Sequence, residues 1–227
     1  MSQTPPLKRL TRKSLAIDTA DYLREAIIAG SLPPGQRLLE VEISTQLGIS
    51  RGTLREALQI LEGEGIVESA HGRGKYVMSL SERAIKEIYS IRSILEQEAI
   101  RLACQNITPS GVEKLRSILA ALFETAAKQE IYQVIHLDFM FHQEIWKIAD
   151  NLLLERLLHS ISQQAKIYLA IQVRLYNDLV DGISDHQQIL VAIQNQDGEQ
   201  AATLIKEHMA YAREAVIEYA SAQDHHQ

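Results

Sequence analysis

The sequence predicts a mainly α chain: an N-terminal winged helix-turn-helix with a short β-hairpin wing, then an all-α bundle of about six helices. Two observations carry this. Eight of the 11 glycines and four of the 5 prolines precede Ser81, so the first part turns often and the second leaves room for long helices. After Ser81 apolar residues recur at helical spacing, and no alternating apolar–polar run competes. The 227 residues divide accordingly into a flexible N-terminal arm (1–13), a first domain (14–79), a second (80–222) and a tail (223–227). Formal charge is +1 over residues 1–80 and −7 over residues 81–227, so the overall −6 says little about what the first domain binds.

Composition also excludes several classes. No apolar run approaches the ~20 residues of a membrane helix. Met1 to Lys13 is polar and basic, unlike a secretory signal. A single cysteine, Cys104, rules out an internal disulfide and any multi-cysteine zinc or iron–sulfur site. A reducing cytoplasm is the expected compartment.

In the first domain, Ala16, Ala20, Leu23 and Ile27 predict a helix over Leu15 to Ala29, ended by Gly30 and followed by a turn at Pro33-Pro34-Gly35. A short helix with Val41, Ile43 and Leu47 inward comes next, then a tight turn at Gly48-Ile49-Ser50. Ser50 suits the N-cap of a helix from about Arg51 to Glu64, whose buried stripe is Leu54, Ala57, Leu58 and Leu61. Two β-type runs, Ile66–Ser69 and Tyr76–Met78, flank the glycine-rich tip His71-Gly72-Arg73-Gly74.

That order suits docking on DNA. A helix entering the major groove offers its N-terminal side chains to base edges, and its free amides suit phosphate. Arg51 and Arg55 lie away from the buried stripe, where a guanidinium can read guanine in a bidentate way. Gly52 removes a side chain where backbone can approach DNA, and Arg73 can follow phosphates or enter the minor groove. Either recognition-helix arginine alone is equally explained as a solvated face; the helix, turn, capped helix and basic hairpin together are more specific.

In the second domain the helical segments run roughly Glu82–Cys104, Pro109–Lys128, Ile131–Ala149, Leu152–Tyr176, Asp185–Asn195 and Gly198–Ser221. Thr108 precedes the second as a cap, and Ser184-Asp185-His186-Gln187 and Asp197-Gly198-Glu199-Gln200 have the form of capping boxes. Ile131, Ile135, Asp138, His142, Ile145 and Ala149 form one stripe, so a carboxylate and an imidazole at i,i+4 interrupt an apolar face. His186 lies within the stripe Ile183, Leu190, Ile193, and His208 within Leu204, Ile205, Ala212, Ala215. Burying such groups unpaired costs about 1–3 kcal/mol each. A divalent ion at their meeting point resolves that cost, zinc first, with nickel, manganese or iron also suited. The competing account is an internal hydrogen-bond network.

Leu47-Gly48-Ile49-Ser50-Arg51-Gly52-Thr53-Leu54-Arg55-Glu56-Ala57-Leu58 and Leu61-Glu62-Gly63-Glu64-Gly65-Ile66-Val67 resemble the DNA-binding domain of GntR-family transcriptional regulators. The resemblance implies DNA contacts at Ser50, Arg51, Thr53 and Arg55 and at the wing residues His71, Gly72 and Arg73. Gly52-Thr53-Leu54 departs from the usual Thr-Pro-Val, which bears on operator preference. Asp138-Phe139-Met140-Phe141-His142, Asp185-His186 through Ile193 and Glu207-His208 resemble the FCD effector domain of the FadR-type branch. That resemblance implies a metal held by Asp138, His142, His186 and His208 beside a pocket for a small carboxylic-acid effector. Asp185 stands where glutamate is more usual.

Three further residues are effector candidates. Arg92 shares an apolar face with Ile88, Leu95 and Ala99, and the family pattern has a pocket-facing arginine there; an ion pair with Glu96 is the other account. Arg174 is in line with Ile167, Ala170 and Ile171. Asn151 is equally explained as a helix cap. The expectation is a homodimeric, ligand-responsive regulator, commonly a repressor, that reads a palindromic operator and is not an enzyme. Leu80-Ser81-Glu82 is too short for a free tether, so the domains are expected to be coupled. Two alternatives stand: a metalloregulator whose signal is the ion, and a metal-dependent hydrolase, for which no further buried carboxylate is identifiable as a base.

Overall fold

The computed structural model describes residues 15–70 and 73–224. The arm 1–13, the wing-tip residues His71 and Gly72, and tail residues 225–227 lie outside the described residues. Among the described residues there are ten helices and three short strands, the fold class expected.

Helix α1 (Leu15–Ile28) buries Ala16, Ala20, Leu23 and Ile27, the stripe its spacing predicts. It stops at Gly30, whose φ of +81° favours a residue without a Cβ. Strand β1 (Arg37–Leu38) and helix α2 (Glu40–Leu47) follow. In α2, Val41 is 60% exposed, contrary to the inward position expected. A step of two turns the helix by about 200°, so Val41 cannot share a face with Ile43 and Leu47; Ser44 takes the buried position. Gly48, left-handed at φ +64°, ends α2.

Ser50 caps α3 (Arg51–Gly63), its hydroxyl accepting from Thr53 N at 3.1 Å. Leu54, Ala57, Leu58 and Leu61 are wholly buried. Arg24 of α1 donates from Nε and Nη2 to the Glu64 carboxylate just past α3, at 2.9 and 2.7 Å. Strands β2 (Val67–Ala70) and β3 (Gly74–Val77) form the antiparallel wing, with Val67 opposite Val77. β1 pairs on the other side of β3, giving the order β1-β3-β2. Two residues carry no readable periodicity, so that edge strand was not expected.

The six expected helices of the bundle are α4 (Glu82–Asn106), α5 (Pro109–Ala127), α6 (Ile131–Ile148), α7 (Leu152–Leu175), α9 (His186–Gln194) and α10 (Gly198–Asp224). A one-turn helix, α8 (Leu179–Gly182), sits between α7 and α9, started by Asp178, which accepts from Val180 N at 2.8 Å. Ser81 and Thr108 cap α4 and α5. α4 packs along α10, and α6 lies against α4, α5 and α7. The apolar core runs without a break from the wing (Val77, Met78) through Ile85 and Tyr89 into the bundle. No helix among the described residues is long and apolar enough to cross a membrane.

Candidate functional site

Four helices aim polar groups at one point inside the bundle. α6 supplies Asp138 and His142, one turn apart on its inner face; α9 supplies His186, α10 supplies His208, and α4 supplies Arg92 and Glu96. The imidazoles of His142, His186 and His208 each bring a ring nitrogen to within 4.8 Å of the others. Asp138 Oδ1 lies 3.1 Å from His186 Nε2, and Oδ2 lies 4.0 Å from His142 Nε2. All four residues are buried.

The outer nitrogen of every ring has an acceptor. His142 Nδ1 is 3.4 Å from Glu96 Oε2. His186 Nδ1 is 3.0 Å from both Ile183 O and Asp185 Oδ1. His208 Nδ1 is 2.6 Å from Asp185 Oδ2. Acceptors on Nδ1 favour the tautomer with a proton there and a lone pair on Nε2, the arrangement of carboxylate–histidine–metal triads. Nε2 of His142 and of His186 are buried without an aligned hydrogen-bond partner. A hydrogen-bond network closes only in part here, through the 3.1 Å contact of His186 Nε2 with Asp138 Oδ1; an ion would satisfy both nitrogens. Three imidazoles and a carboxylate fit a divalent cation of the zinc, nickel, manganese or iron type.

Two carboxylates here were not assigned from sequence. Glu96 is fully buried, accepting from Arg92 Nε at 3.0 Å through Oε1 and from Trp146 Nε1 at 2.8 Å through Oε2. A further buried carboxylate therefore does exist, but both its oxygens are committed, on the outer side of His142. Asp185 precedes α9 yet makes no capping bond; its oxygens serve His186 and His208 instead. The capping-box pattern concealed that role, whereas Asp197 does cap, accepting from Gln200 N at 3.0 Å.

The charges are strongly coupled. Burial alone would raise Glu96, Asp138 and Asp185, but neighbouring cations and hydrogen bonds prevail: Glu96 and Asp138 are held down at about 2, and Asp185 is well below the usual carboxylate range. Burial would lower His186, but Asp138 and Asp185 push it up to about 10. Burial lowers His142, which outweighs its neighbour Glu96. A raised histidine stabilises the fold fully below its ordinary value of 6.5 and loses that contribution as pH climbs through about 10. A bound ion takes the place of that proton. Metal-free protein should therefore lose melting temperature between pH 6.5 and 10, and protein loaded with zinc should not, which thermal melts across that range will check.

The effector candidates separate. Arg92 is buried and forms the ion pair with Glu96, which also places it one residue removed from His142. Arg174 points elsewhere: its Nη2 donates to Ile28 O of α1 at 2.8 Å and its Nη1 to Ala170 O at 2.5 Å. The apolar stripe that suggested a pocket instead faces the N-terminal domain at that end. Asn151 caps α7, accepting from Leu154 N at 3.1 Å, and is exposed. The pocket that reaches Asp185 holds about 410 Å³ and is lined by Tyr176, Asp178, Asp181 and Tyr211. The two tyrosine rings stack at 6.4 Å.

At the other end of the molecule, Ser50, Arg51, Gly52 and Arg55 are exposed at the start of α3. Ser50 and Thr53 hydroxyls lie 2.9 Å apart. Arg55 Nε donates to Glu40 Oε2 at 2.7 Å, so reading a base costs it that pair. Nothing in the fold requires glycine at 52, where an added Cβ would meet only Ser50 Oγ at 3.6 Å. Arg73 is exposed beside the wing tip.

Comparison with known proteins matches both halves. The FCD domain family matches residues 87–211, and the bacterial regulatory proteins of the gntR family match residues 7–77. A probable D-xylose utilization operon transcriptional repressor of Paenarthrobacter nicotinovorans is 32% identical over 203 residues, 89% of each chain. The gluconate operon transcriptional repressor of Bacillus subtilis is 29% identical, covering 85% of this chain and 81% of that protein. Among solved structures, E. coli McbR/YncC superposes with a TM-score of 0.78 at 24% identity, over 92% of this chain and 99% of that one, a likeness of fold.

Proposed function

This chain belongs to the GntR family of bacterial regulatory proteins and carries an FCD domain, and from that premise we propose a ligand-responsive repressor whose bundle holds a divalent ion beside its effector site. Its class is that of a transcriptional regulator that binds DNA. Residues 14–79 read a palindromic operator through Ser50, Arg51, Thr53, Arg55 and Arg73, with His71 and Gly72, which lie outside the described residues, assigned to the same contact set, and residues 80–222 sense the ligand and pair two copies.

The observation that carries the reading is the convergence of His142 Nε2 and His186 Nε2, both buried and without aligned partners, beside Asp138 and His208. When bound, the ion would supply a positive centre inside the bundle. Asp138, His142, His186 and His208 hold it; Asp185 and Glu96 orient the rings. A small carboxylate is the favoured effector, because an anionic oxygen suits a cation held by three imidazoles and a single carboxylate; Arg92, paired with Glu96 behind His142, adds positive charge to that region. Such a molecule changes DNA affinity only as far as it binds one arrangement of the heads better than another.

A second reading, with the ion itself as the signal, draws support from Asp178, Asp181 and Asp185, whose charges on the adjoining pocket admit a cation more readily than a carboxylate. Titrating zinc into metal-free protein, with and without small carboxylic acids, while following operator binding separates the two. A response to zinc alone selects the second; a response only with acid selects the first; none overturns both.

For DNA reading, Arg51→Ala is the sharper test, since Arg55 is already engaged by Glu40. Loss of a bidentate base contact costs about 1–3 kcal/mol. Operator affinity, measured by anisotropy on DNA selected from a random pool, should fall accordingly, with the helical content unchanged. Unaltered affinity would remove Arg51 from the interface.

A further inference from the structure

The last four carbonyls of a helix have no partner within it, and they can be accounted for one by one at the end of α1. Glu25 O accepts from Ala29 N at 2.7 Å, Ala26 O from Ser31 N at 2.9 Å, and Ile27 O from Gly30 N at 3.0 Å. The remaining one, Ile28 O, accepts from Arg174 Nη2 at 2.8 Å, across 146 residues of sequence. The same guanidinium donates through Nη1 to Ala170 O of its own helix. A cation belongs at a helix C-terminus, where the peptide dipoles leave partial negative charge. Arg174 is thus a bracket with one arm on α7 and one on the DNA-reading domain.

Two more observations place α7 as the element that the head rests on. Gly65, in the turn after α3, approaches α7 so closely that an added Cβ would fall 1.6 Å from Gln164 Nε2. A cavity of about 330 Å³ between α1 and the bundle is walled by Arg24 and Glu25 on one side and by Gln163 and Lys166 of α7 on the other. Lys166 in turn lies 4.2 Å over the ring of Phe139, the neighbour of Asp138. At the far end, two residues beyond Arg174, Tyr176 walls the pocket at Asp185.

We infer that Arg174 is the positioning residue that fixes the DNA-reading domain on the bundle and passes the state of the metal centre to it along α7. The inference rests on the metal reading for its signal, but not for the bracket itself. Because Arg174 is exposed, its loss leaves the bundle core intact.

Spin labels at Glu42→Cys and Lys206→Cys, both exposed, report the separation of head and bundle; the native Cys104 is buried and stays unlabelled. Samples are diluted with unlabelled protein so that only distances within one chain are read. With Arg174 present, the distance distribution should be narrow and should shift between zinc-loaded and chelated protein. In Arg174→Met it should broaden and no longer respond to zinc, and exchange of the Ala29 to Leu32 amides should quicken by roughly tenfold as a charge-assisted hydrogen bond is lost. Arg174→Lys, which keeps the charge and can reach one carbonyl, should fall between, and it is read in the same way if Arg174→Met does not fold. A distribution unchanged by Arg174→Met, one indifferent to zinc in the parent, or a zinc-dependent shift that survives the substitution would overturn the inference. Zinc content by elemental analysis is read on the same samples, so failure to hold the ion is recognised separately.

Discussion

Replacing His186 and His208 together by alanine should strip the bundle of its ion. Each contributes a ring nitrogen to the converging group, and the two rings sit closest to one another, with centroids 4.8 Å apart. Losing even an outer partner of a metal-bound histidine typically costs 10–100-fold in affinity. Two inner ligands lost at once should therefore cost well over about 100-fold, leaving Asp138 and His142 with too few donors to retain a divalent ion through purification. Elemental analysis reads the stoichiometry, and competition with a chelator reads the affinity. A double variant that keeps the parent's metal content would refute the site. Asp185 makes the pair instructive in a second way: with both rings gone its carboxylate has no imidazole to hold, so the substitution also removes the two hydrogen bonds that offset its burial and hold it below the usual carboxylate range.

The second large effect is expected at Glu96→Ala. Its carboxylate is fully buried and serves three donors: Arg92 Nε, Trp146 Nε1 and, at longer range, His142 Nδ1. Removing one member of a buried ion pair strands the other charge, at a cost of about 3–5 kcal/mol. For a domain of this size that corresponds to a fall of about 6–20 °C in melting temperature, read by loss of helical circular dichroism. Glu96→Gln, which keeps an acceptor for the indole but not the charge, should lose less. A drop within a degree or two for Glu96→Ala would mean that Arg92 finds another partner and that Glu96 is dispensable to the ring of His142.

The difference between what could and could not be read from the sequence follows distance along the chain. Asp138 and His142 are four residues apart on a helix, so one period places both on the same face, and the apolar neighbours of His186 and His208 give the direction of each. Those four residues were legible for that reason. Their outer partners were not: Glu96 meets His142 across 46 residues and Asp185 meets His208 across 23, and both contacts depend on which helices lie side by side. Arg174 shows the same limit. Its helical stripe marks the correct face, but the end of that face meets α1 rather than the centre of the bundle. At the smallest scale, β1 and α8 hold two and four residues, too few for any period to emerge. Val41 is a different case, an arithmetic of angle rather than of neighbours, and the spacing itself places it on the outer face of α2.

The indole of Trp146 is the only one in the chain, and it donates to the carboxylate that steadies His142. Its emission is therefore an optical probe installed by the protein itself within two contacts of the centre. An event that draws His142 toward a newcomer should redistribute charge on Glu96 and so alter the light from this single indole, excited selectively over the eight tyrosines. Candidate inducers can be screened in a cuvette, one after another, without a dye, a tag or knowledge of the genes under control.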